Sequence, residues 1–225
     1  MKQRIKIDGT MMVLTIVLTG FLYFFSILYT QNIFWDNLLN FVGMILILKG
    51  TYLRMAARGY KKEFSQKGQD LVVDGLYTLT RNPMYLGTYL IGAGFVLVVW
   101  PWWFLIIFSV LFFVRFNVQM VKEEAHLKKL FGAKYEKYCQ TTPRFFPTLK
   151  ALINLKATKI FPWKMCWSTK ERLGLLGWPA LAFVLELLQG YAMHSVIDFA
   201  RVFYVFFAAI LVFALGLVFR YRFNL

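Results

Sequence analysis

Residues 84–120 read MYLGTYLIGAGFVLVVWPWWFLIIFSVLFFVRFNVQM, and Arg115 is the one charged side chain among them. A helix needs about 20 mostly apolar residues to cross roughly 30 Å of hydrocarbon. The stretch therefore reads as two membrane spans, Met84–Trp100 and Trp102–Met120, folded at Pro101 into a hairpin with no room for a loop. Outward from it, Thr10–Tyr29 and Leu38–Ala57 qualify upstream, the second despite Lys49 and Arg54. Downstream, Leu173–Gly190 is interrupted by Pro179 and Glu186, and Phe199–Phe219 is continuous. The expected fold is an all-α, polytopic bundle of about six spans, and the whole composition agrees. The 225 residues are 59% hydrophobic and 16% charged, with mean hydropathy +0.56. A soluble domain is about 45–50% apolar.

The net charge of +15 would suggest nucleic acid in a soluble chain, but here the Lys and Arg distribution points to a membrane surface and not to nucleic acid. They cluster before the first span, between the second and third, and between the fourth and fifth. Residues 30–37, the Trp100–Trp102 turn and residues 190–198 hold none. The positive-inside rule then puts both termini in the cytoplasm, with Trp35, Trp100, Trp102 and Trp103 at the outer boundary. Lys2, Arg4 and Lys6 precede the first span, whose apolar run is too long for a signal peptide and lacks a cleavage site, so it reads as a retained anchor. Cys139 and Cys166 form no CxxC, and His126 and His194 are isolated, so neither a disulfide framework nor a metal site is expected.

Water-soluble chemistry must be built from the two polar segments, Arg58–Arg81 and Val121–Arg172. In the first, Asp74-Gly75 and Asn82-Pro83 are turn signals, and Pro83 suits a helix's first turn. The third span thus starts with free N–H groups and Arg81 beside them, an arrangement suited to a carboxylate or phosphate. The plain alternative is a capped helix with a snorkelling arginine. In the second segment Arg115, Gln119 and Glu123 fall on one helical stripe. Lys128, Lys129, Lys134 and Lys137 alternate with Leu127, Leu130, Phe131, Tyr135 and Tyr138, an interfacial amphipathic pattern broken at Gly132. Lys49, Arg54 and Glu186 lie inside expected spans, where ionisable groups are functional candidates. Arg54 is expected to snorkel, and Lys49 and Glu186 to pair with each other or line a polar cavity.

In order along the chain stand Gly75-x-Tyr77, Arg81-Asn-Pro-Met-Tyr-x-Gly87, Glu123-Glu124-x-x-Leu127, Phe131-Gly132-x-x-Tyr135-x-x-Tyr138 and Pro143-Arg144-x-x-Pro147. This series resembles the isoprenylcysteine carboxyl methyltransferase and phospholipid methyltransferase superfamily of integral membrane enzymes, over about residues 38–147. The resemblance implies methyl transfer from S-adenosylmethionine at the cytoplasmic face to a lipophilic acceptor entering from the bilayer. By the same resemblance the cofactor contacts are Gln69, Asp70, Leu71, Val72, Tyr77, Arg81, Asn82, Pro83, Met84, Tyr85 and Glu123. Arg115 and Glu124 are the candidates for steering the acceptor. Two positions depart from the family pattern. Asn82 stands where His is commonest, which removes an imidazole's acid–base capacity. Gln119 stands where the carboxyl-methylating branch has an Arg, for which Arg115, one turn earlier, is the available substitute.

Three regions follow: an anchor span and outer loop (1–37), the methyltransferase core (38–149), and a basic linker with two added spans (150–225). The added spans serve a lipid groove, an oligomer contact or anchoring. Two other readings compete. One is a membrane reductase binding NADPH, whose chains are usually much longer. The other is a non-catalytic small transporter or assembly factor, in which Lys49 and Glu186 would mark the path.

Overall fold

The computed structural model describes residues 17–23, 25–65, 70–148, 166–167 and 169–223. Among these the chain is helical, without a strand. Helix α1 spans Ile33–Phe64, α2 Pro83–Val99, α3 Phe104–Phe131, α4 Ala133–Thr141, α5 Gly174–His194 and α6 Phe199–Phe223. α1, α3, α6 and a helical stretch from Lys170 to His194 are long and apolar enough to cross a membrane. α2 is apolar on all sides but has only 17 residues, about 26 Å at 1.5 Å per residue. Of the expected first span, residues 10–16 lie outside the described residues. Residues 17–23 are helical, and Ser26–Leu28 forms a 3₁₀ turn. Most of the basic linker also lies outside them.

Local sequence explains the element boundaries. Asn32 caps α1 by accepting from the Phe34 and Trp35 amides, and Asp36 adds a favourable charge in the first turn. Gly75 takes φ +63°, a left-handed conformation open to glycine, at the expected turn. Gly132, at φ +50°, separates α3 from α4. At Pro101 the chain reverses within a few residues, so α2 and α3 form the expected hairpin.

α1 is the central helix. Its Met44, Ile47 and Leu48 share one core with Val98 and Val99 of α2, Ala182 of α5, and Val202, Phe206 and Ala209 of α6. α2 crosses α1 through paired glycines. A Cβ at Gly43 would sit 2.8 Å from the Gly94 carbonyl oxygen, and one at Gly50 would sit 2.5 Å from that of Gly87. α3 packs on α2 through aromatic rings around Tyr89. Its Ile106, Val110, Leu111 and Val114 are exposed, as are Leu176 and Tyr204 on the added helices. Exposed apolar area of this extent needs a cover, and a bilayer provides one. The protein is an integral membrane protein.

Of the two expectations for Lys49 and Glu186, the pairing fails, whereas Glu186 does line a polar cleft. Lys49 faces outward and does not meet Glu186. Glu186 is 2% exposed and accepts from Asn40 Nδ2 at 2.7 Å and Arg201 Nη2 at 3.0 Å. Lys49 sits on the rotation of α1 opposite this network, so the two cannot meet. Arg54 does not simply snorkel. It donates to both oxygens of Glu171 at 3.0 and 3.1 Å and to Thr88 Oγ1 at 2.6 Å. Arg58 pairs with the same carboxylate. These contacts and the Glu186 network join the two added helices firmly to the core.

Candidate functional site

The site is built where α2 begins. Asn82 is the N-cap residue of α2 and Pro83 its first helical residue, as the sequence predicts. The Asn82 side chain does not cap the helix. Its Nδ2 turns away and donates to Glu124 Oε1 at 3.2 Å and to the Arg144 carbonyl at 3.0 Å. Arg144 Nε donates to the same glutamate oxygen at 3.1 Å, and Arg81 Nη1 forms a looser ion pair with it at 3.7 Å. Glu124 is thereby fixed between α2, the preceding loop and the chain after α4.

That last segment acts as a clamp. The Arg81 amide donates to the Pro143 carbonyl at 2.9 Å, and Thr80 Oγ1 to the Arg144 carbonyl at 3.1 Å. Arg144 Nη1 also reaches Asn117 Oδ1 at 2.9 Å. Phe145 then packs into the aromatic group of Tyr89, Phe112 and Phe113. Pro143-Arg144 is therefore where the core's two ends meet, a role its presence in a motif did not reveal. Cys139, uninformative in the sequence, accepts from Arg81 Nη1 at 2.8 Å. Burial opposes the Arg81 charge, but Glu124 and Cys139 outweigh it, and the guanidinium is held above its ordinary pKa.

A second carboxylate is presented to the outside. Glu123 is exposed. Its Oε1 accepts from the Tyr85 hydroxyl at 2.7 Å and from Gln119 Nε2 at 3.0 Å. The Tyr85 ring lies 5.5 Å from that of Phe116. The expected stripe of Gln119 and Glu123 is thus realised. Arg115, two turns from Glu123, lies exposed with its guanidinium 6.0 Å from the Phe116 ring centre. Among the described residues it forms no ion pair, and it is not brought to Glu124.

The loop before α2 is held to its neighbours through tyrosines. The Tyr77 hydroxyl donates to the Ala57 carbonyl at 3.4 Å, and the Tyr138 hydroxyl to the Tyr77 carbonyl at 2.6 Å. Burial first, and the charge of Glu123 second, push the Tyr77 phenol up, so it stays protonated. Tyr135 is pushed up to about 12, chiefly by burial and then by Glu124. Ser65 Oγ ties the Asp70–Val72 stretch to the end of α1 through the Asp70 carbonyl at 2.8 Å. Met84 is partly buried at the first turn of α2. Gln69 lies outside the described residues. Of the expected residues, Arg81, Asn82 and Glu124 form one network, and Tyr85 and Glu123 a second beside it, with Tyr77 electrostatically coupled to the second.

Two donors in the first network, Arg81 Nε and Arg144 Nη2, are buried without a partner among the described residues. Unsatisfied buried donors are uncommon in a settled interior, and these two suit an anionic group.

Part of the chain is similar to known proteins. Residues 36–134 match the family described as Phospholipid methyltransferase. The helical core is thus similar to that family over this segment. Over 128 residues the chain is 25% identical to the Protein-S-isoprenylcysteine O-methyltransferase of Schizosaccharomyces pombe, covering 56% of this chain and 54% of the relative. The chain thus spans about half the length of that curated relative. No solved structure matches it. The family match ends at residue 134, short of the Pro143–Arg144 clamp and of α5 and α6.

Proposed function

We propose that this chain is an S-adenosylmethionine-dependent methyltransferase that methylates a lipophilic acceptor at the cytoplasmic membrane face. The acceptor class is a prenylcysteine-type carboxylate or a lipid headgroup. The observation that carries the reading is the Tyr85–Glu123 pair at 2.7 Å, set beside the Asn82–Pro83 helix start within the family-matched segment.

S-adenosylmethionine supplies a methyl group on a sulfonium, which an aligned nucleophile takes while the electron pair of the broken bond stays on sulfur. The residues fit such a group. Glu123 offers an exposed carboxylate to hydroxyl or ammonium donors, and Tyr85 and Tyr77 offer aromatic surface. The α2 N-terminus attracts a carboxylate, and Arg81 Nε and Arg144 Nη2 are free to hold an anion. By the family resemblance, Asp70, Leu71, Val72 and Met84 complete the cofactor contacts.

Glu124 is assigned a positioning role. Asn82 and Arg144 donate to its Oε1 and Arg81 forms an ion pair with it, so it holds these three residues in register. Asn82 itself has no acid–base capacity near neutral pH. Catalysis then rests on alignment, which supplies up to ~7–11 kcal/mol of a barrier, and on excluding water as a rival nucleophile. Arg115 is left to meet the acceptor outside the Glu124 network. A transporter path through both Lys49 and Glu186 is not favoured, because Lys49 faces outward while Glu186 lines a polar cleft elsewhere on the bundle.

Calorimetric titration of the purified full chain in nanodiscs tests the reading. S-adenosylmethionine and its demethylated product should bind saturably, and NADPH should not. Glu123→Ala should weaken the sulfonium pair at least tenfold with little change in unfolding temperature. Unaltered binding by Glu123→Ala would remove that residue from the cofactor site, and absence of binding in the intact chain would overturn the proposal.

A further inference from the structure

The bundle's opposite end holds a second polar cluster. α1 and α2 run antiparallel, so the start of α1 lies far from Asn82 and beside the end of α2, where the Tyr29 hydroxyl reaches the Val99 carbonyl. There a cleft of about 300 Å³ opens between α1, α5, α6 and residues 29–31. Its charged lining is Asp36, Glu186, Asp198 and Arg201, with His194 at the rim.

Arg201 joins most of this group. Its Nη1 donates to Asp36 Oδ2 at 2.5 Å and to Asn37 Oδ1 at 3.0 Å, and its Nη2 to Glu186 Oε1 at 3.0 Å. Asp198 accepts from the Arg201 amide at 3.0 Å, which caps the start of α6. Asn40 adds a donor to Glu186 Oε1. Every donor found for Glu186 lands on that one oxygen. Oε2 is fully buried and has no partner among the described residues, although the side chain lines the cleft. A buried carboxylate oxygen without a donor is strongly disfavoured.

Charge and geometry together define what would satisfy it. Three carboxylates face one guanidinium, so the cleft is anionic within a chain of net charge +15. Among the described residues no group of three or more His, Cys, Asp or Glu side chains is placed to hold a metal ion. Oε2 needs a hydrogen-bond donor, and the surplus negative charge selects one that is positive. We infer that this cleft binds a ligand through a primary ammonium group, which donates to Glu186 Oε2 while the apolar lining of Ile33, Leu187, Met193 and Val202 takes its remaining carbon atoms. The ammonium is carried by a lipid headgroup or by a free amine. The site is separate from the methyl-transfer site and does not depend on that function.

The test uses the full chain in phosphatidylcholine nanodiscs. Phosphatidylethanolamine is added and its retention followed by native mass spectrometry, and ethanolamine is titrated by calorimetry. The inference expects one of these amines to bind saturably and their trimethylated counterparts, which lack N–H donors, to bind at least tenfold more weakly. Retention of the lipid alone identifies a headgroup site, and binding of ethanolamine identifies a site for soluble amines. Glu186→Gln removes the charge and should lower affinity at least tenfold. Met193→Trp fills the cleft from its rim, leaves the Arg201 ion pairs intact, and should do the same. Should Glu186→Gln unfold, Met193→Trp decides. Binding of neither amine, equal binding of the trimethylated forms, or binding unchanged in a folded Met193→Trp chain would each overturn the inference.

Discussion

Against α1, helix α2 packs backbone on backbone, whereas against α3 it packs ring on ring. The first contact has no slack. Gly43 and Gly94 meet at one crossing and Gly50 and Gly87 at another, seven residues along both helices, with room for hydrogen only. The second contact centres on Tyr89, whose ring meets those of Phe108, Phe112, Phe113, Phe145 and Phe146 at 5.2–6.2 Å. Rings can slide by fractions of an ångström and carbonyl oxygens cannot. The difference gives the site one fixed wall, the start of α2, and one adjustable wall, the exposed face of α3 that carries Gln119 and Glu123, whereas Glu124 is tied to the fixed wall through Asn82 and Arg144. The methyltransferase proposed above, which must admit a bulky lipid beside a small cofactor, would be served by that division.

Gly50→Ala breaks the comparison on its rigid side and should have the largest effect. The new Cβ would meet the Gly87 carbonyl at 2.5 Å and the Ile91 amide nitrogen at 2.8 Å, so the helices themselves must part. Overpacking of this kind should cost ~3 kcal/mol or more, the top of the usual range, and lower the unfolding midpoint in detergent by several degrees. Gly177→Ala is the control: nothing lies within 4 Å of its Cβ position, and the substitution should be neutral or slightly stabilising. If the two behaved alike, the paired glycines would not be holding α1 to α2.

Tyr89→Ala attacks the adjustable side. Removing a large aromatic from a core costs 3–5 kcal/mol. Tyr89 is half-buried, and neighbouring rings can move inward, so ~2–3 kcal/mol is expected. Its signature should be functional as well as thermal. Loosening α3 displaces Glu123 from Tyr85, and affinity for the methyl donor should fall by more than the loss of stability alone would give. Tyr89→Phe, which forfeits only the 2.9 Å contact with Ser109 Oγ, should bind almost as the wild type does.

Arg144→Ala tests the clamp that joins the two walls. It removes the 3.1 Å bond to Glu124 and the 2.9 Å bond to Asn117 but leaves Asn82 and Arg81 on the glutamate. A hydrogen bond to a charged group contributes about 1.5–3 kcal/mol. Arg144 is 35% exposed along its side chain, so ~1–2 kcal/mol is the expected loss of stability. Because Arg144 Nη2 is placed with the cofactor's anionic group, cofactor affinity should fall severalfold. Affinity unchanged in a folded Arg144→Ala chain would make the residue a strut.

What could be read from the sequence follows the same division between local and distant. Pro101, Asp74-Gly75, Asn82-Pro83 and Gly132 each act on their own few residues, and each falls at the boundary the sequence predicts. The end of α3 was also legible, because Gln119 and Glu123 share a stripe whatever surrounds them. Partnership across helices was not. α2 is apolar on every side, so its pattern does not say which face meets α1 and which meets α3. Glu186 is visibly out of place in an apolar run, but the spacing alone does not name Arg201 as its partner. The available signal was Arg201 itself, the one charge in Phe199–Phe219. Glu171 sits among basic residues of the linker, where nothing local distinguishes it from a solvated acid. Its clasp on Arg54 and Arg58 depends on how α5 returns to α1.

The smallest effect is expected from Lys134→Ala, and its smallness is informative because α4 has two contrasting faces. Tyr135 and Tyr138 are buried on one face, and the Tyr138 hydroxyl holds the Tyr77 carbonyl at 2.6 Å. Lys134 and Lys137 point away on the other. A basic side chain near an anionic membrane surface contributes about 1 kcal/mol of attraction, and an exposed substitution usually stays within ±0.5 kcal/mol of the parent's stability. In nanodiscs containing phosphatidylserine, Lys134→Ala should therefore shift the unfolding midpoint by no more than about 1–2 °C and leave cofactor affinity unchanged. Tyr138→Phe, on the inner face, should lower that affinity severalfold through the loop that carries Tyr77. The reverse ranking would mean that α4 is seated by its lysines on the lipid and not by its tyrosines on the loop.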